Sequence, residues 1–427
     1  GWTTAATNQM TGSPVYVTPA AVGEPLIIFT CSDQRVRAAF AANGTVLWAK
    51  VLNYEIKGPV TVHNEVAYVA TMYNALYALR VADGSQVWMA NTVLGSVTYA
   101  GPVVSAVNQA VYLGTVAGVI QAFSMNNGSL LWQYSTAFPD VETMGVLSLD
   151  ESTLYFASNA AGSTGNSFYR TAQVGALNLT GTSASIPVAQ RLIWSVTDEF
   201  GTVMRKMARS GDGSFLIVTA RSEPNLGNGR VYKMDTATGA RLWQTNLTGC
   251  FLSGPALYEE AGATSLVIVH ADNWVAENQA VFTAVALYVA DGSQAWMFED
   301  RTSTWNQSPF DYSPIVVGNM SIARVVVIPS SSGALHGFDL AGNRLWTVGT
   351  TASFYRTPIS AALITYPNGC ILATYSDFYL RVFCSPGTVP WPTIVPTNAA
   401  TGSSSVSRAA LLTSALATAA SALALTL

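Results

Sequence analysis

The sequence predicts an all-β protein, an eight-bladed β-propeller of four-stranded antiparallel blades. Three observations lead to this prediction: a repeated motif of a glycine turn and a tryptophan, two strand-like runs before each copy, and Gly/Ser/Thr-Pro pairs after it. Aromatic residues make up 11% of the chain. They suit strands, where large side chains pack well on a pleated surface.

The repeated motif is a turn containing glycine, followed by two or three residues and then tryptophan, as in Asn43-Gly-Thr-Val-Leu-Trp48 and Asp83-Gly-Ser-Gln-Val-Trp88. Six copies end at Trp48, Trp88, Trp132, Trp243, Trp296 and Trp346, and two weaker copies, Gln-Arg-Leu-Ile-Trp194 and Pro-Gly-Thr-Val-Pro-Trp391, bring the number to eight. Successive tryptophans are mostly 40 to 53 residues apart. This spacing is typical of propeller blades, which repeat about every 40–50 residues.

Each copy has the same flanks, so each unit contains four strands. In the second unit, the runs Val66–Ala70 and Ala75–Leu79 precede the tryptophan, and Gly101-Pro102 opens the next unit. Residues 2–10 resemble the last strand of a blade. We therefore predict that this segment pairs with the C-terminal blade and closes the ring, because an open ring would expose strand edges. The predicted propeller covers residues 1–395.

The repeats resemble those of the pyrroloquinoline-quinone-type, or quinoprotein-like, propeller family, whose pattern is Leu-Asp-x-x-x-Gly-x-x-x-Trp. The stretches Met234-Asp235…Gly239…Trp243 and Phe338-Asp339…Gly342…Trp346 carry the resemblance. It implies that each tryptophan packs between neighbouring blades and that each glycine makes the turn into the last strand. Fold similarity alone does not establish function.

The family that the repeats resemble contains quinone-dependent dehydrogenases and non-catalytic scaffolds similar to the outer-membrane assembly propeller. The dehydrogenases carry adjacent cysteines beside the quinone and a Ca²⁺ site. The four cysteines of this chain, Cys31, Cys250, Cys370 and Cys384, are not adjacent. The resemblance is therefore closer to the scaffolds, and no cofactor is expected. The alternative is a divergent oxidoreductase that binds pyrroloquinoline quinone with Ca²⁺.

Catalytic and metal-binding motifs are missing from the sequence. It contains no G-x-S-x-G, H-E-x-x-H, P-loop or C-x-x-C motif. Its three histidines lie in different repeats, so no metal site is expected. With a net charge of −4 and 10% charged residues, the chain lacks the basic character that nucleic acids require. A lyase or hydrolase that uses the central face of the ring is a third, less supported hypothesis.

Loop lengths predict a ligand-binding rim on one face of blades 4–6. The connections at 159–170, 222–230, 271–280 and 298–312 are longer than those of blades 1–3. Loops of this length in a compact domain tend to be functional. Their aromatic residues, arginines and carboxylates suit a protein or glycan ligand. The candidate rim residues are Tyr169, Arg170, Arg221, His270, Asp272, Trp274, Arg301, Trp305, Asp311 and Tyr312.

The end of the sequence predicts display on the extracellular face of the plasma membrane. A polar Ser/Thr/Gly-rich linker, 396–408, precedes an uncharged hydrophobic tail, 409–427. This order is typical of a GPI-anchor signal, with Asn398 as the candidate attachment site. A retained transmembrane anchor and a secreted protein are the alternatives.

Two further features agree with export. Asn-x-Ser/Thr sequons predict glycosylation at Asn43, Asn127, Asn178, Asn246 and Asn319. Cys370 and Cys384 flank a predicted hairpin, which would bring them opposite each other and within reach of a disulfide bond.

Overall fold

A computed structural model describes residues 3–5, 10, 12–92, 101–160, 171–181, 190–198, 201–203, 206–220, 228–248, 251–276, 279–300, 313–319, 322–330, 333–348, 363–366, 370–374 and 379–383. Within this part of the chain, no helix is long and apolar enough to span a membrane. The predicted linker 396–408, the tail 409–427 with Asn398, and Trp391 lie outside the described residues.

The described residues form β-strands joined by turns and irregular connections. In chain order the strands are β1 (Thr3–Ala5), β2 (Val15–Val17), β3 (Leu26–Cys31), β4 (Arg35–Phe40), β5 (Val46–Val51), β6 (Thr61–His63), β7 (Val66–Ala70), β8 (Ala75–Arg80), β9 (Gln86–Asn91), β10 (Val103–Ser105), β11 (Ala110–Gly114), β12 (Val119–Ser124), β13 (Leu130–Ser135), β14 (Asp140–Leu147), β15 (Thr153–Asn159), β16 (Ala172–Asn178), β17 (Leu192–Asp198), β18 (Ala208–Arg209), β19 (Phe215–Ala220), β20 (Asn228–Asp235), β21 (Arg241–Thr248), β22 (Phe251–Leu252), β23 (Ala256–Tyr258), β24 (Leu266–Ala276), β25 (Gln279–Tyr288), β26 (Gln294–Asp300), β27 (Ile315–Asn319), β28 (Ile322–Pro329), β29 (Leu335–Phe338), β30 (Arg344–Val348), β31 (Ile364–Tyr366), β32 (Cys370–Thr374) and β33 (Tyr379–Phe383).

These strands pair into eight antiparallel sheets, which confirms the predicted all-β, eight-bladed propeller. Sheets 1 to 5 are β2–β5, β6–β9, β10–β13, β14–β17 and β18–β21; sheet 6 is β22–β26, sheet 7 is β27–β30, and sheet 8 is β31–β33 with β1. In sheet 6 the first strand is split, because β22 and β23 both pair with β24.

The first strand of the chain completes the last sheet. β1 pairs antiparallel with β33, so that Thr3 lies opposite Arg381 and Ala5 opposite Tyr379. The prediction that the N-terminal segment pairs with the C-terminal blade is therefore confirmed.

The hydrophobic core lies between neighbouring sheets. Eight clusters of buried residues each join two successive sheets, and one of them joins sheet 8 to sheet 1 through residues such as Ile27, Phe29, Leu372 and Leu380. Inner strands are covered on both faces, so β3 is buried along its whole length. This burial explains why the inner strands are continuous apolar runs in the sequence.

The repeat tryptophans join neighbouring sheets, as the family resemblance implied. The Trp48 Nε1–H of sheet 1 donates to the Val81 carbonyl of sheet 2 at 2.8 Å. Gly84 of the same turn has φ +69°, and a Cβ built there would lie 2.6 Å from Trp48 Cε3. Glycine is required here by both the backbone and the indole. The same contact recurs in the pairs Trp88–Gly128, Trp194–Gly239, Trp243–Gly292 and Trp296–Gly342.

Sheet 4 replaces this contact with an arginine. Arg191 is fully buried, and its Cζ lies 4.4 Å from the centroid of the Trp132 ring of sheet 3. Its Nη1 donates to the Asn178 carbonyl at 3.0 Å. A guanidinium over the indole thus takes the place that a glycine turn has in sheets 2, 3, 5, 6 and 7.

Connections alternate between the two ends of each antiparallel sheet, which defines two faces of the molecule. The hairpin face carries the second-to-third strand connections at 32–34, 71–74, 115–118 and 277–278, together with the links between sheets. The turn face carries the first-to-second strand connections and the third-to-fourth strand turns at 41–45, 81–85, 125–129 and 289–293.

Candidate functional site

Within the described part of the chain, the hairpin face carries a long protrusion, which is formed by β24 and β25. These strands have 11 and 10 residues, whereas β7 and β11 have five each. Beyond Asp272 and Phe282 they pair with each other through Asn273–Val281, Trp274–Ala280 and Ala276–Gln279. At about 3.3 Å per residue, four residues carry this ribbon roughly 13 Å past the sheet.

Hydrogen bonds hold the base of this protrusion to two sheets. The Ser253 N–H donates to the His270 carbonyl at 2.9 Å, and the His270 N–H donates to Ser253 Oγ at 3.0 Å. Thr219 of sheet 5 donates through Oγ1 to the Ser253 carbonyl at 2.9 Å. These hydrogen bonds fix the position of the residues from which the ribbon extends.

A stack of rings lies under the same ribbon and joins sheets 6 and 7. Phe282 lies between His270, at a centroid distance of 4.8 Å, and His336, at 4.6 Å. His336 Nδ1 is 3.1 Å from Thr347 Oγ1. Burial lowers the pKa of His336 to about 4, so this ring is neutral near pH 7. The stack supports the ribbon structurally.

A second feature of the hairpin face is a pair of exposed tyrosines at the junction of sheets 1 and 2. The residues Tyr54 and Tyr73 are 44% and 59% exposed, and the centroids of their rings are 5.3 Å apart. A backbone hydrogen bond from Met72 N–H to the Glu55 carbonyl, at 2.8 Å, joins the two connections that carry them. Exposed, fixed aromatic rings suit binding to a protein surface.

Sequence reasoning missed this tyrosine pair because it ranked connections by length. Tyr73 lies in the short connection 71–74 of sheet 2, and Tyr54 lies in the link 52–60 between sheets 1 and 2, which was not among the connections predicted to be long. The strand order of the predicted propeller could have indicated them. Tyr54 lies in a link between sheets and Tyr73 in a second-to-third strand connection, and both kinds of connection emerge on the same face.

At the end of sheet 1 that faces the hairpin side, the polar and thiol groups have structural rather than catalytic roles. Arg37 forms an ion pair with Asp33, and both side chains are 8% exposed. Next to them, burial raises the pKa of the Cys31 thiol to about 12, so the thiol stays protonated and is a poor nucleophile. Among the described residues, no three His, Cys, Asp or Glu side chains come close enough to hold a metal ion.

The structure corrects the predicted loop at 271–280. This segment continues β24 and β25 as a paired hairpin, and Asp272 and Trp274 lie within it, opposite Phe282 and Ala280. His270 lies in β24 and is 1% exposed, so it cannot be a contact on an exposed rim. Phe298–Asp300, predicted as the start of a loop, belong to β26, and Arg230 belongs to β20.

The other candidate rim residues lie outside the described part of the chain, so the rim there stays a prediction. They are Tyr169, Arg170, Arg221, Arg301, Trp305, Asp311 and Tyr312.

The cysteines can be placed in part. Cys31 is a free, buried thiol. Cys370 is disulfide-bonded, but its partner lies outside the described residues. The register of β32 and β33, with Ile371 opposite Phe383, continues toward position 384. A disulfide bond between Cys370 and Cys384 thus stays a prediction. The strand register agrees with it, because continuing the register by one residue places position 384 opposite Cys370.

Comparisons with known proteins complete the description. The model of a family described as outer membrane protein assembly factor BamB matches residues 1–212 and, again, residues 170–370. No curated protein matches the chain.

Solved structures share the fold at low sequence identity. BamB from Moraxella catarrhalis is 18% identical over 89% of this chain and 97% of its own, with a TM-score of 0.60. Quinohemoprotein alcohol dehydrogenase from Comamonas testosteroni is 14% identical over 92% of this chain and 77% of its own, with a TM-score of 0.64. The computationally designed Ika8 protein is 12% identical over 89% of this chain and 98% of its own, with a TM-score of 0.61.

Proposed function

We propose that this chain, which belongs to the family of the outer membrane protein assembly factor BamB, is a non-enzymatic scaffold that binds a protein partner through its hairpin face. The family is named for an assembly factor, and a role in protein assembly requires binding to other proteins. A glycan in place of a protein is the other ligand class that the predicted rim suits.

The observation that carries the proposal is the β24–β25 ribbon. This hairpin extends beyond the ends of its neighbours β22 and β26, and its base is hydrogen-bonded to two sheets and lies on a stack of rings. Rigidly presented strands and exposed aromatic residues lower the entropy lost on binding. The Tyr54–Tyr73 pair adds a second contact on the same face.

Partner capture from cells that produce the protein tests the proposal. The tagged full-length chain is compared with a variant in which residues 274–280 are replaced by Asn-Gly, a two-residue hairpin turn. Trp274→Ala and Tyr54→Ala/Tyr73→Ala are the smaller variants. Val107→Ala is the matched control, because Val107 is 69% exposed on the turn face.

Quantitative mass spectrometry then compares each captured protein across the variants. We expect the partner's recovery to fall about tenfold or more with the shortened hairpin, since interface anchors commonly contribute about 2 kcal/mol or more. Val107→Ala leaves it unchanged. Equal recovery from the shortened variant at an unchanged melting temperature would refute binding through this ribbon.

The proposal includes no cofactor. Its rival is a divergent oxidoreductase that uses pyrroloquinoline quinone and Ca²⁺. Purified protein supplied with both would then show quinone absorbance and Ca²⁺-dependent reduction of a dye. We expect neither, and a positive result would replace the scaffold proposal.

We further propose that the chain is held on the outer face of the plasma membrane by a GPI anchor at Asn398. The uncharged stretch 409–427 and the polar linker before it support this proposal. Phospholipase C specific for phosphatidylinositol should release the protein from intact cells, and mass spectrometry should end its last peptide at Asn398. Retention of 409–427 in the mature protein would favour a transmembrane anchor.

A further inference from the structure

Three sequon asparagines lie in or next to third-to-fourth strand connections, on the turn face. Asn43 and Asn127 are exposed at the turns of sheets 1 and 3, and Asn178, which is partly buried, is the last residue of β16, just before the corresponding connection of sheet 4. The turn face lies opposite the β24–β25 ribbon and the tyrosine pair. These three sequons therefore lie on the side of the molecule that carries neither feature, whereas Asn246, exposed in β21 opposite Arg230, lies nearer the hairpin face.

In each of these sequons the side-chain oxygen is used by the turn and the side-chain nitrogen is not. Asn43 Oδ1 accepts from the Thr45 N–H at 2.9 Å, and Asn127 Oδ1 accepts from the Ser129 N–H at 3.0 Å. Asn178 Oδ1 accepts from the Thr180 N–H at 2.9 Å. Among the described residues, none hydrogen-bonds to their Nδ2 atoms. The atom that takes a glycan is thus available without breaking the turn.

The neighbouring sheets show that the turn itself does not require asparagine. Asp83-Gly84-Ser85 and Asp291-Gly292-Ser293 form the same turn in sheets 2 and 6, and each aspartate accepts the N–H of the serine two residues on. The hydroxyl residue and the glycine belong to the turn in all four sheets. Asparagine in sheets 1 and 3 differs from aspartate in being uncharged and in having an amide nitrogen, Nδ2, which can form an N-glycosidic bond.

We propose that Asn43, Asn127 and Asn178 carry N-linked glycans, which cover the turn face and leave the hairpin face for a partner. Nδ2 bonds to the anomeric carbon of an oligosaccharide donated by a polyisoprenyl pyrophosphate. The nitrogen loses a proton, and the lipid pyrophosphate leaves. The covering of one face deepens the proposed function, but glycosylation of the three asparagines stands independently of it.

Site-by-site glycopeptide mapping tests this proposal. The full chain is secreted from a eukaryotic host behind a secretion leader and digested with and without peptide-N-glycosidase. Each of Asn43→Asp, Asn127→Asp and Asn178→Asp should remove one glycan, seen as one step in gel mobility. The first two substitutions give the residue that sheets 2 and 6 use at this position, so they should keep the fold.

A variant with an added sequon shows whether the host can glycosylate this type of turn. Asp83→Asn creates a sequon on an equivalent turn, and we expect it to add one glycan. Glycosylation at position 83 with unmodified Asn43, Asn127 and Asn178 would overturn the proposal, because the host would have been shown to modify this turn. Absence of glycan at all four positions would overturn it as well, since the turn face would then not accept the modification. Neither outcome bears on partner capture by the hairpin face.

Discussion

At the scale of single residues, the contact between indole and glycine is the unit that joins one sheet to the next. A methyl group at position 84 would lie 2.6 Å from Trp48 Cε3, and the backbone there has φ +69°. Gly23 has a similar φ of +76°, with nothing within 4 Å of its virtual Cβ. Substitution of Gly23 would therefore report the cost of the backbone conformation alone, and substitution of Gly84 the cost of the conformation together with the steric clash.

We predict that Gly84→Ala lowers the free energy of unfolding by about 2–4 kcal/mol. Of this, about 1 kcal/mol reflects an alanine in the left-handed region, and about 1–3 kcal/mol reflects overpacking. Gly23→Ala should lose only about 1 kcal/mol. Urea unfolding of both variants checks the difference, and equal losses would show that the indole moves aside at no cost.

The stacked His336 makes stability depend on pH. Its folded-state pKa of about 4 lies below the ordinary value of 6.5, because burial penalises the charged ring. His270 and Arg344 act in the same direction, and Asp300 opposes them. The unfolded chain therefore binds the proton more tightly. This contribution is complete above pH 6.5 and is lost as the pH falls from 6.5 to 4.

We predict that the free energy of unfolding falls by about 3 kcal/mol over this range on account of His336. His336→Gln removes the titrating ring and keeps a polar side chain near Thr347. The loss of stability between pH 7.5 and pH 4 should then be smaller in the variant. Denaturant titrations at the two pH values measure it, and equal losses in both proteins would mean that other groups control acid unfolding.

At the scale of elements, glutamates in first-to-second strand connections fasten the sheets in pairs. Glu65 accepts from the Ala20 N–H at 2.6 Å, which ties sheet 2 to sheet 1. Glu259 accepts from the Gly211 N–H at 2.7 Å, which ties sheet 6 to sheet 5. Glu151 accepts from Ser105 Oγ at 2.8 Å and from the Val107 N–H at 3.0 Å, which ties sheet 4 to sheet 3.

We predict that Glu151→Ala costs about 1–3 kcal/mol of unfolding free energy, because two donors lose a charged acceptor. Glu151→Gln keeps one acceptor oxygen of the same reach and should lose less. Thermal or urea unfolding compares the two. A glutamine variant as unstable as the alanine variant would mean that the charge, rather than the hydrogen-bond geometry, holds the sheets.

Elements with a strong local signal could be predicted from sequence, and elements defined by pairing could not. Glycine turns followed by tryptophan located the fourth strands of sheets 1 to 3 and 5 to 7, because the turn and the indole contact both need those residue types. The β24–β25 ribbon was predicted as a loop, since Asp272, Asn273 and other polar residues fill it. Backbone pairing outside the core does not require apolar side chains, so the pattern carried no strand signal there.

The sequence predicted which face of the molecule carries the candidate site, but it predicted the residues of the site less well. Alternating connections determine which side of the sheets a segment reaches, and this follows from strand order alone. Whether a side chain on that side is exposed depends on its neighbours. His270 is covered by the stack with Phe282, whereas Tyr54 and Tyr73, which the sequence did not single out, are exposed. Sequence patterns do not report such three-dimensional neighbours.

At the scale of the whole molecule, the fold depends on residues from the two ends of the described chain meeting in sheet 8. The core between sheets 8 and 1 also contains Met10, which is fully buried. Trp2 precedes β1 in the sequence, and the register of Thr3 with Arg381 extends toward Val382. In sheet 1 the corresponding partner, Ala38, lies opposite Trp48. We therefore expect Trp2, rather than Trp391, to serve as the eighth repeat tryptophan; both lie outside the described residues.

Removal of residues 1–9 tests this closure, because it deletes β1 and Trp2 but keeps Met10. Loss of the β1 ladder leaves β33 as an exposed edge, which favours association between chains. We predict a loss of about 2–3 kcal/mol in unfolding free energy, at about 1 kcal/mol per hydrogen bond, together with oligomers in size-exclusion chromatography. A synthetic peptide of residues 1–9 should restore the monomer and its stability by adding the missing strand, and the same peptide with Trp2→Ala should restore less. If the truncated chain stayed monomeric and equally stable, the pairing of β1 with β33 would be incidental, and the core between sheets 8 and 1 would be sufficient to close the ring.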